Sequence, residues 1–387
     1  MTDVAIALTK ERGTRAGEEL ATSISERLGG GSLDALIVFA TPDQDHVALL
    51  EELVARCDPG TLVGCSSAGE FSSEESGVGM TCAVAISAPE MQFTAALGRG
   101  PGDDVGAAAE AIAAGFEGLK APGFRYYSAL VLTDALAGFA DDLVDRLSVL
   151  TGGVYRFFGG GAGDDARFQK TVVFCGTEVT DNAAVALEIL SNKPIGIGVR
   201  HGWQPGGERM RVTAAEGMQL RSLNAVPALE VFEGHAADTG QLLDPKEPIP
   251  FFLHNVLGVE SPDGYRLRVP LAFQEDGSVA CAAEVPRHST ACIMTTTPAS
   301  AAEAAAAATR AALEQMDGNE AAVALVFDCV ATRLRLGQEF GAELAAVQAE
   351  LGDVPMAGFN TYGQIAQADG QFSGFHNCTA VVCTLPK

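Results

Sequence analysis

The sequence predicts an α/β protein: repeated strand-helix-strand-helix-strand-loop-strand units with a β-rich central insert. Three observations lead there. Short apolar runs alternate with helical periodicities along most of the chain, as expected where helices cover sheets. Glycine-rich loops recur at a similar distance after an apolar strand, from Ile37 to Gly64, Val131 to Gly159 and Val326 to Gly358. Residues 194–287 lose the helical periodicity and gain turn signals.

In chain order, Val4 to Leu8 reads as a strand and Arg15 to Leu28 as a helix stopped by Gly29-Gly30-Gly31. Ala35 to Phe39 is the next strand. A helix from about Asp45 to Arg56 ends at Asp58-Pro59-Gly60, and strands at 61–64 and 81–87 flank the first glycine loop. The second unit runs from the strand Gln92 to Leu97 through the helix Asp103 to Leu119, strand Ala129 to Thr133, helix 139–151 and strand Val154 to Phe158. Strands Thr171 to Cys175 and Ala183 to Leu190 follow its loop. The third unit is expected to open with Ala291 to Thr295. It continues through an Ala-rich helix from Ser300, strand Val323 to Phe327, helix 336–351 and Pro355 to Gly358, and closes with Cys378 to Leu385. Domain limits follow at 1–193 (units 1–88 and 90–190), 194–287 and 288–387. Within the insert, Tyr265 to Val269 and Val279 to Ala283 are expected to form a hairpin around Glu275-Asp276-Gly277.

A chain of 387 residues with 47% hydrophobic and 19% charged residues has globular composition. Its net charge of -25 repels phosphate backbones and anionic lipid heads, so neither nucleic acid nor a membrane surface is expected as a partner. No apolar run has membrane-spanning length. Met1-Thr2-Asp3-Val4 lacks a basic export signal, so a cytoplasmic location is expected. The nine cysteines form no Cys-x-x-Cys pair and read as small buried hydrophobes, without a zinc site or disulfide framework.

The loops Gly64-Cys65-Ser66-Ser67-Ala68-Gly69-Glu70, Gly159 to Asp165 and Ala357 to Gln364 carry the polar residues of greatest interest. Glu70, Asp164 and Asp165 suit an ammonium or guanidinium group. Ser66, Ser67 and the loop N–H groups suit a carboxylate held in a backbone nest. Equally, the two aspartates can cap turns and Glu70 can be solvated. Gly159-x-Gly161-x-x-Asp164 fails the dinucleotide pattern, and no lysine follows any glycine loop to make a phosphate loop. Gly64-x-Ser66-x-Ala68 lacks the second glycine of a nucleophile elbow, so an enzyme is not expected; a hydrolase or acyl-transfer site at Ser66 or Cys65 is the third alternative.

The order of these motifs resembles the FIST sensory proteins, with an N-terminal and a C-terminal FIST domain. Gly64 to Glu70 and Gly159 to Asp165 are similar to the N-domain signatures, and Gly202-Trp203-Gln204-Pro205 with Arg211-Val212-Thr213 and Pro227-Ala228 to the junction. Cys329 through Arg333, Gly358 to Ala366 and His376-Asn377-Cys378-Thr379 are similar to the C-domain. The resemblance implies a small-ligand sensor, with amino acids a suggested ligand class. It signals to a separate partner such as a histidine kinase or cyclic-di-nucleotide enzyme, as in bacterial two-component signalling, and homo-oligomerisation is left open. The ligand-binding set expected is Cys65, Ser66, Ser67, Glu70, Gly160, Gly161, Gly163, Asp164, Asp165, Trp203, Asn360, Tyr362, Gln364 and Asn377. Gln364 departs from the glutamate more usual in the family, which removes one carboxylate.

No cofactor or metal is required by that reading. A related subgroup binds haem and senses nitric oxide, so haem is the alternative, with His201, His235 and His254 as candidate axial ligands. No two of the six histidines have the spacing of a helical metal pair.

Overall fold

The computed structural model describes residues 1–29, 31–120, 123–368 and 374–387, so Gly30 of the expected helix stop lies outside the described residues. The first unit comprises β1 (Asp3–Thr9), α1 (Gly13–Leu28), β2 (Ala35–Ala40), α2 (His46–Cys57), β3 (Thr61–Ser66), a hairpin of β4 (Glu70–Ser72) and β5 (Ser76–Gly77), and β6 (Thr81–Ser87). Gly29 caps α1 at φ 64°, and the Asp45 carboxylate accepts the Ala48 N–H to start α2. The second unit repeats the order as β7 (Gln92–Arg99), α3 (Val105–Gly115), β8 (Tyr126–Thr133), α4 (Ala140–Leu150), β9 (Tyr155–Gly161), the hairpin β10 (Val173–Cys175) and β11 (Glu178–Thr180), and β12 (Ala183–Ser191).

The third unit opens earlier than expected, at β13 (Gly196–Arg200), and is then interrupted. The interruption contains β14 (Gln204–Pro205), β15 (Met210–Glu216), β16 (Gln219–Leu223), β17 (Val226–Pro227), α5 (Ala228–Thr239), α6 (Ile249–Phe252), β18 (Val256–Ser261), β19 (Gly264–Arg268), β20 (Pro270–Phe273), β21 (Val279–Cys281) and β22 (Thr290–Thr295). The unit resumes with α7 (Pro298–Glu314), β23 (Ala321–Cys329), α8 (Val330–Leu336), α9 (Phe340–Leu351), β24 (Met356–Thr361), the hairpin β25 (Gln364–Ala366) and β26 (Gly374–His376), and β27 (Ala380–Pro386).

Two expectations are corrected here. Ala291 to Thr295 does not open the third unit: as part of β22 it pairs with β18, β15 and β14 inside the inserted sheet. β13 takes that place because its glycines let the Ala-rich α7 pack at backbone distance. A Cβ at Gly196 or Gly198 would overlap the carbonyl oxygens of Ala312 or Ala308. The turn at Asp276-Gly277 does join a hairpin, but its arms are β20 and β21; Tyr265 to Arg268 pairs with β18 instead.

Each unit contributes four strands in the same order, first-last-second-third, with only the second and third parallel. Each sheet is then completed by another unit's hairpin. β10 and β11 of the second unit extend the first sheet, β25 and β26 of the third extend the second, and β4 and β5 of the first extend the third. The exchange is cyclic, giving the three units a pseudo-threefold relation.

The inner faces of the three sheets share one core, to which Ile37, Val63, Leu130, Val185, Leu325 and Val381 all contribute. Phe39 and Phe158 approach Phe327 from different units, at 6.2 and 6.1 Å between ring centroids. The outer faces are covered by α1 and α2, by α3 and α4, and by α7 and α9. Burial on both faces explains why strands such as β2 are apolar without alternation. Among the described residues, no helix is long and apolar enough to cross a membrane.

Candidate functional site

The third strand of each unit ends in a glycine loop, and the three loops meet. The Gly163 and Asp165 N–H groups donate to the Ser66 and Ser67 carbonyls. Gly161 donates to the Gly363 carbonyl and Tyr362 to that of Gly161. Ala68 donates to the Asn360 carbonyl, and Asn360 to that of Gly69. Glycines 64, 159 and 358 occupy equivalent places: a Cβ there would overlap the carbonyl oxygen of Val38, Val131 or Val326. Gly160, Gly161 and Gly163 have a similar reason. A Cβ would stand 2.7 Å from Gly363 O, Ala135 Cβ and Ala68 Cβ respectively, so these glycines admit neighbouring chain rather than a ligand.

Several expected binding groups are committed to this junction. The Ser66 N–H donates to Val172 O and the Ser67 N–H to Ala40 O, leaving neither amide for an anion nest. The Ser66 hydroxyl accepts the Val172 N–H at 3.0 Å. Cys65 lies in the shared core, where burial and then the nearby Glu70 push its thiol well up, away from nucleophilic character.

Glu70 and Gln364 are structural counterparts. Both begin a hairpin that crosses to the next sheet, Glu70 opposite Phe359 and Gln364 opposite Gly160. Glu70 bonds to the Ser67 hydroxyl and accepts the Met80 N–H at 3.1 Å. Gln364 donates to the Thr361 hydroxyl at 2.6 Å and accepts the Thr379 N–H at 3.2 Å. Burial carries the Glu70 carboxyl up to about 8, against the pull of its hydrogen bonds and Arg333, so at neutral pH it is protonated and resembles the glutamine.

Asp164 anchors a strap. Its carboxylate accepts the N–H groups of Phe168, Gln169 and Lys170 at 2.7–2.9 Å and the Tyr362 hydroxyl. Burial opposes its ionisation, but these donors hold it below the usual carboxylate range. The Phe168 and Tyr362 rings stack at 4.6 Å, and Arg167 forks onto Asp43. Within the strap, Asp165, Ala166 and Phe168 all have left-handed backbones, at φ 56°, 63° and 52°. Such strain concentrates at ligand clamps.

Beneath the strap are polar atoms with no hydrogen-bond partner: Asp165 Oδ1, Asn360 Nδ2 and Arg333 Nε, all buried. Asp165 Oδ2 accepts the Thr41 hydroxyl at 3.2 Å. Burial raises the Asp165 carboxyl, while Thr41, Arg167 and Arg333 draw it down. A Cβ on Gly69 would lie 2.9 Å from Asn360 Oδ1 and 3.3 Å from Arg333 Nε, so that glycine leaves room between the two side chains. Burial draws the Arg333 guanidinium down, and the Asp165 carboxylate pulls it back up. Clefts of about 330 Å³ beside Ser66, Asp164 and Arg167, and about 260 Å³ beside Tyr362 and Asp141, flank these loops.

Arg333 and Thr41 were not among the sequence candidates. Arg333 stands in a matched C-domain motif, but only folding of α8 brings it to Gly69. Trp203, by contrast, packs with Val256, Met294, Cys329 and Cys378, its ring facing the Arg335 guanidinium at 5.5 Å. Asn377 is buried and donates to His376 O at 3.2 Å.

Two of the three candidate haem histidines are hydrogen-bonded to neighbouring groups. His201 bonds through Nε2 to Tyr265 O and through Nδ1 to the Trp203 N–H. His235 Nε2 bonds to Asn255 Oδ1, with the ring edge-on to Phe251, and His254 is exposed.

Residues 34–226 match the FIST N domain and residues 228–367 the FIST C domain. No curated protein matches the sequence. Among solved structures, a cyanuric acid hydrolase from A. caulinodans is 8% identical over 100% of both chains, with a TM-score of 0.35. T. maritima PurL complexed with ATP is 14% identical over 100% of this chain and 71% of that one, with a TM-score of 0.21. The matched domains together span most of the molecule, and the chain belongs to the FIST family, whose domains are small-ligand sensors of signal transduction.

Proposed function

We propose that the ligand is a small zwitterion such as an amino acid, bound where the three glycine loops meet. The carrying observation is the set of unpartnered buried atoms on Asp165, Asn360 and Arg333. Leaving such a group unpaired costs about 1–3 kcal/mol, so a ligand bringing its own donors and acceptors is favoured there. Arg333 suits a carboxylate and Asp165 an ammonium. The strained strap 165–168 closes over the bound molecule, and its change of position is read by a separate signalling protein, such as a histidine kinase.

The test is a thermal-shift screen of free amino acids followed by calorimetric titration of any hit. Binding by the wild type, lost in both Asp165→Asn and Arg333→Ala, is the expected result. Saturable binding that survives both substitutions, or leaves hydrogen exchange of the strap unchanged, refutes the placement. A visible spectrum after adding hemin examines the haem alternative: a stable Soret band that shifts with nitric oxide would favour it.

A further inference from the structure

The cleft of about 260 Å³ lies between the second unit and the inserted sheet. Ala135, Gly138 and the start of α4 form one wall and the β15–β16 turn with residues 282–284 the other, while Tyr362 and Phe375 come from the third unit. The β15–β16 turn is Gly217-Met218, whose carbonyls accept the Val285 and Cys281 N–H groups at 3.0 and 2.8 Å. Hairpin tips ordinarily carry polar residues, yet this anchored one holds out a methionine. The Met218 methyl lies 3.8 Å from where a Cβ on Gly138 would stand. Leu136, Phe168 and Met218 are 41–50% exposed, so three large apolar side chains meet solvent here. Leu136 follows the lining residue Ala135, and Phe168 joins the cleft through its stack on Tyr362. The rim is acidic. Asp141 stands 3.9 Å from Arg268, with Arg266 also near. Asp142 and Glu284 are exposed, and among the described residues neither makes a salt bridge.

We propose that this cleft docks a basic segment of the signalling partner, with one aromatic side chain as its anchor. A buried anchor inside a rim that excludes water is the usual energetic centre of a protein interface. Tyr362 and Phe375 offer ring contacts to an aromatic anchor, and the Met218 thioether adapts to its edge. The cleft is smaller than the roughly 300–1,000 Å³ of small-molecule pockets and suits a side chain better. The carboxylates of Asp142 and Glu284 select lysine or arginine beside the anchor. A second copy of this chain, with its net charge of -25, is repelled instead. Phe168 belongs to the strap, so this docking site rests on the reading that the strap is what the partner senses.

The experiment titrates the full-length protein, with no amino acid added, with a short fluorescent peptide that has phenylalanine at its centre and lysines at both ends. Saturable binding is expected, with hydrogen-exchange protection at 135–142 and 216–218. Met218→Ala and the pair Asp142→Arg with Glu284→Arg, all at exposed side chains, should each weaken it roughly tenfold. Phe168→Ala should weaken it less. Equal binding of the same peptide with glutamates at its ends, or with alanine at its centre, overturns the proposal. So does a footprint elsewhere in the wild type, an arm that depends on no variant folding. Sedimentation showing a dimer that Met218→Ala dissociates also overturns it, because a second copy then covers the face. Failure here leaves the amino-acid titration standing, and loss of amino-acid binding leaves the peptide footprint standing.

Discussion

Replacing Glu70 with glutamine tests the equivalence of the first and third loops directly. In the folded protein the Glu70 carboxyl is raised from 4.5 to about 8, chiefly by burial. Below pH 4.5 the group is neutral in both folded and unfolded chains. Between 4.5 and about 8 only the unfolded chain releases the proton. Each pH unit in that window therefore removes about 1.4 kcal/mol of stability. The full difference is on the order of 5 kcal/mol, complete once the pH has passed the folded-state value. Glu70→Gln keeps an oxygen for the Met80 N–H and offers Ser67 a donor, as Gln364 does for Thr361. The variant should thus match the wild type near pH 5 and exceed it progressively toward pH 9. Paired thermal or urea unfolding at pH 5, 7 and 9 reads this difference. A difference that stays flat with pH would show that Glu70 is ionised in the fold, held by Arg333, and the reasoning would be wrong.

Other substitutions probe the remaining steps. Asp164→Asn weakens the acceptor for three strap N–H groups and should cost roughly 2–3 kcal/mol, read as faster hydrogen exchange at 168–170. Because the Asp164 carboxyl is depressed on folding, its contribution is present above the ordinary value of 3.8 and lost as pH falls through the folded one. Tyr362→Phe removes one donor and keeps the stack on Phe168, so it should loosen the strap less than Asp164→Asn in the same assay. Gly358→Ala drives a Cβ into the Val326 carbonyl and should destabilise by more than about 3 kcal/mol, seen as loss of soluble protein or of the unfolding transition. Gly341→Ala, in α9 where a Cβ meets nothing within 4 Å, is its control and should be neutral or slightly stabilising.

Local chemistry made much of the architecture legible. The apolar runs of β2, β8 and β23 announce strands buried on both faces, and Asp45 marks a helix start that its side chain does cap. The glycine loops are legible as special backbone, because three glycines at a similar distance from three apolar strands imply one repeated constraint. What no local pattern carried was the partner of each segment. Strand pairing is decided by packing between distant residues, so β13 and β22, both short and apolar, could exchange roles on paper. Only contact between Gly196, Gly198 and the alanines of α7 settles which one joins β27. The same holds at the site. Ser66, Ser67 and Glu70 have the composition of binding residues, yet the hairpin exchange turns their polar atoms to neighbouring backbone. Arg333 reaches the junction from another unit, and burial, a property of the assembled sheets alone, turns Glu70 from a charge into a neutral partner.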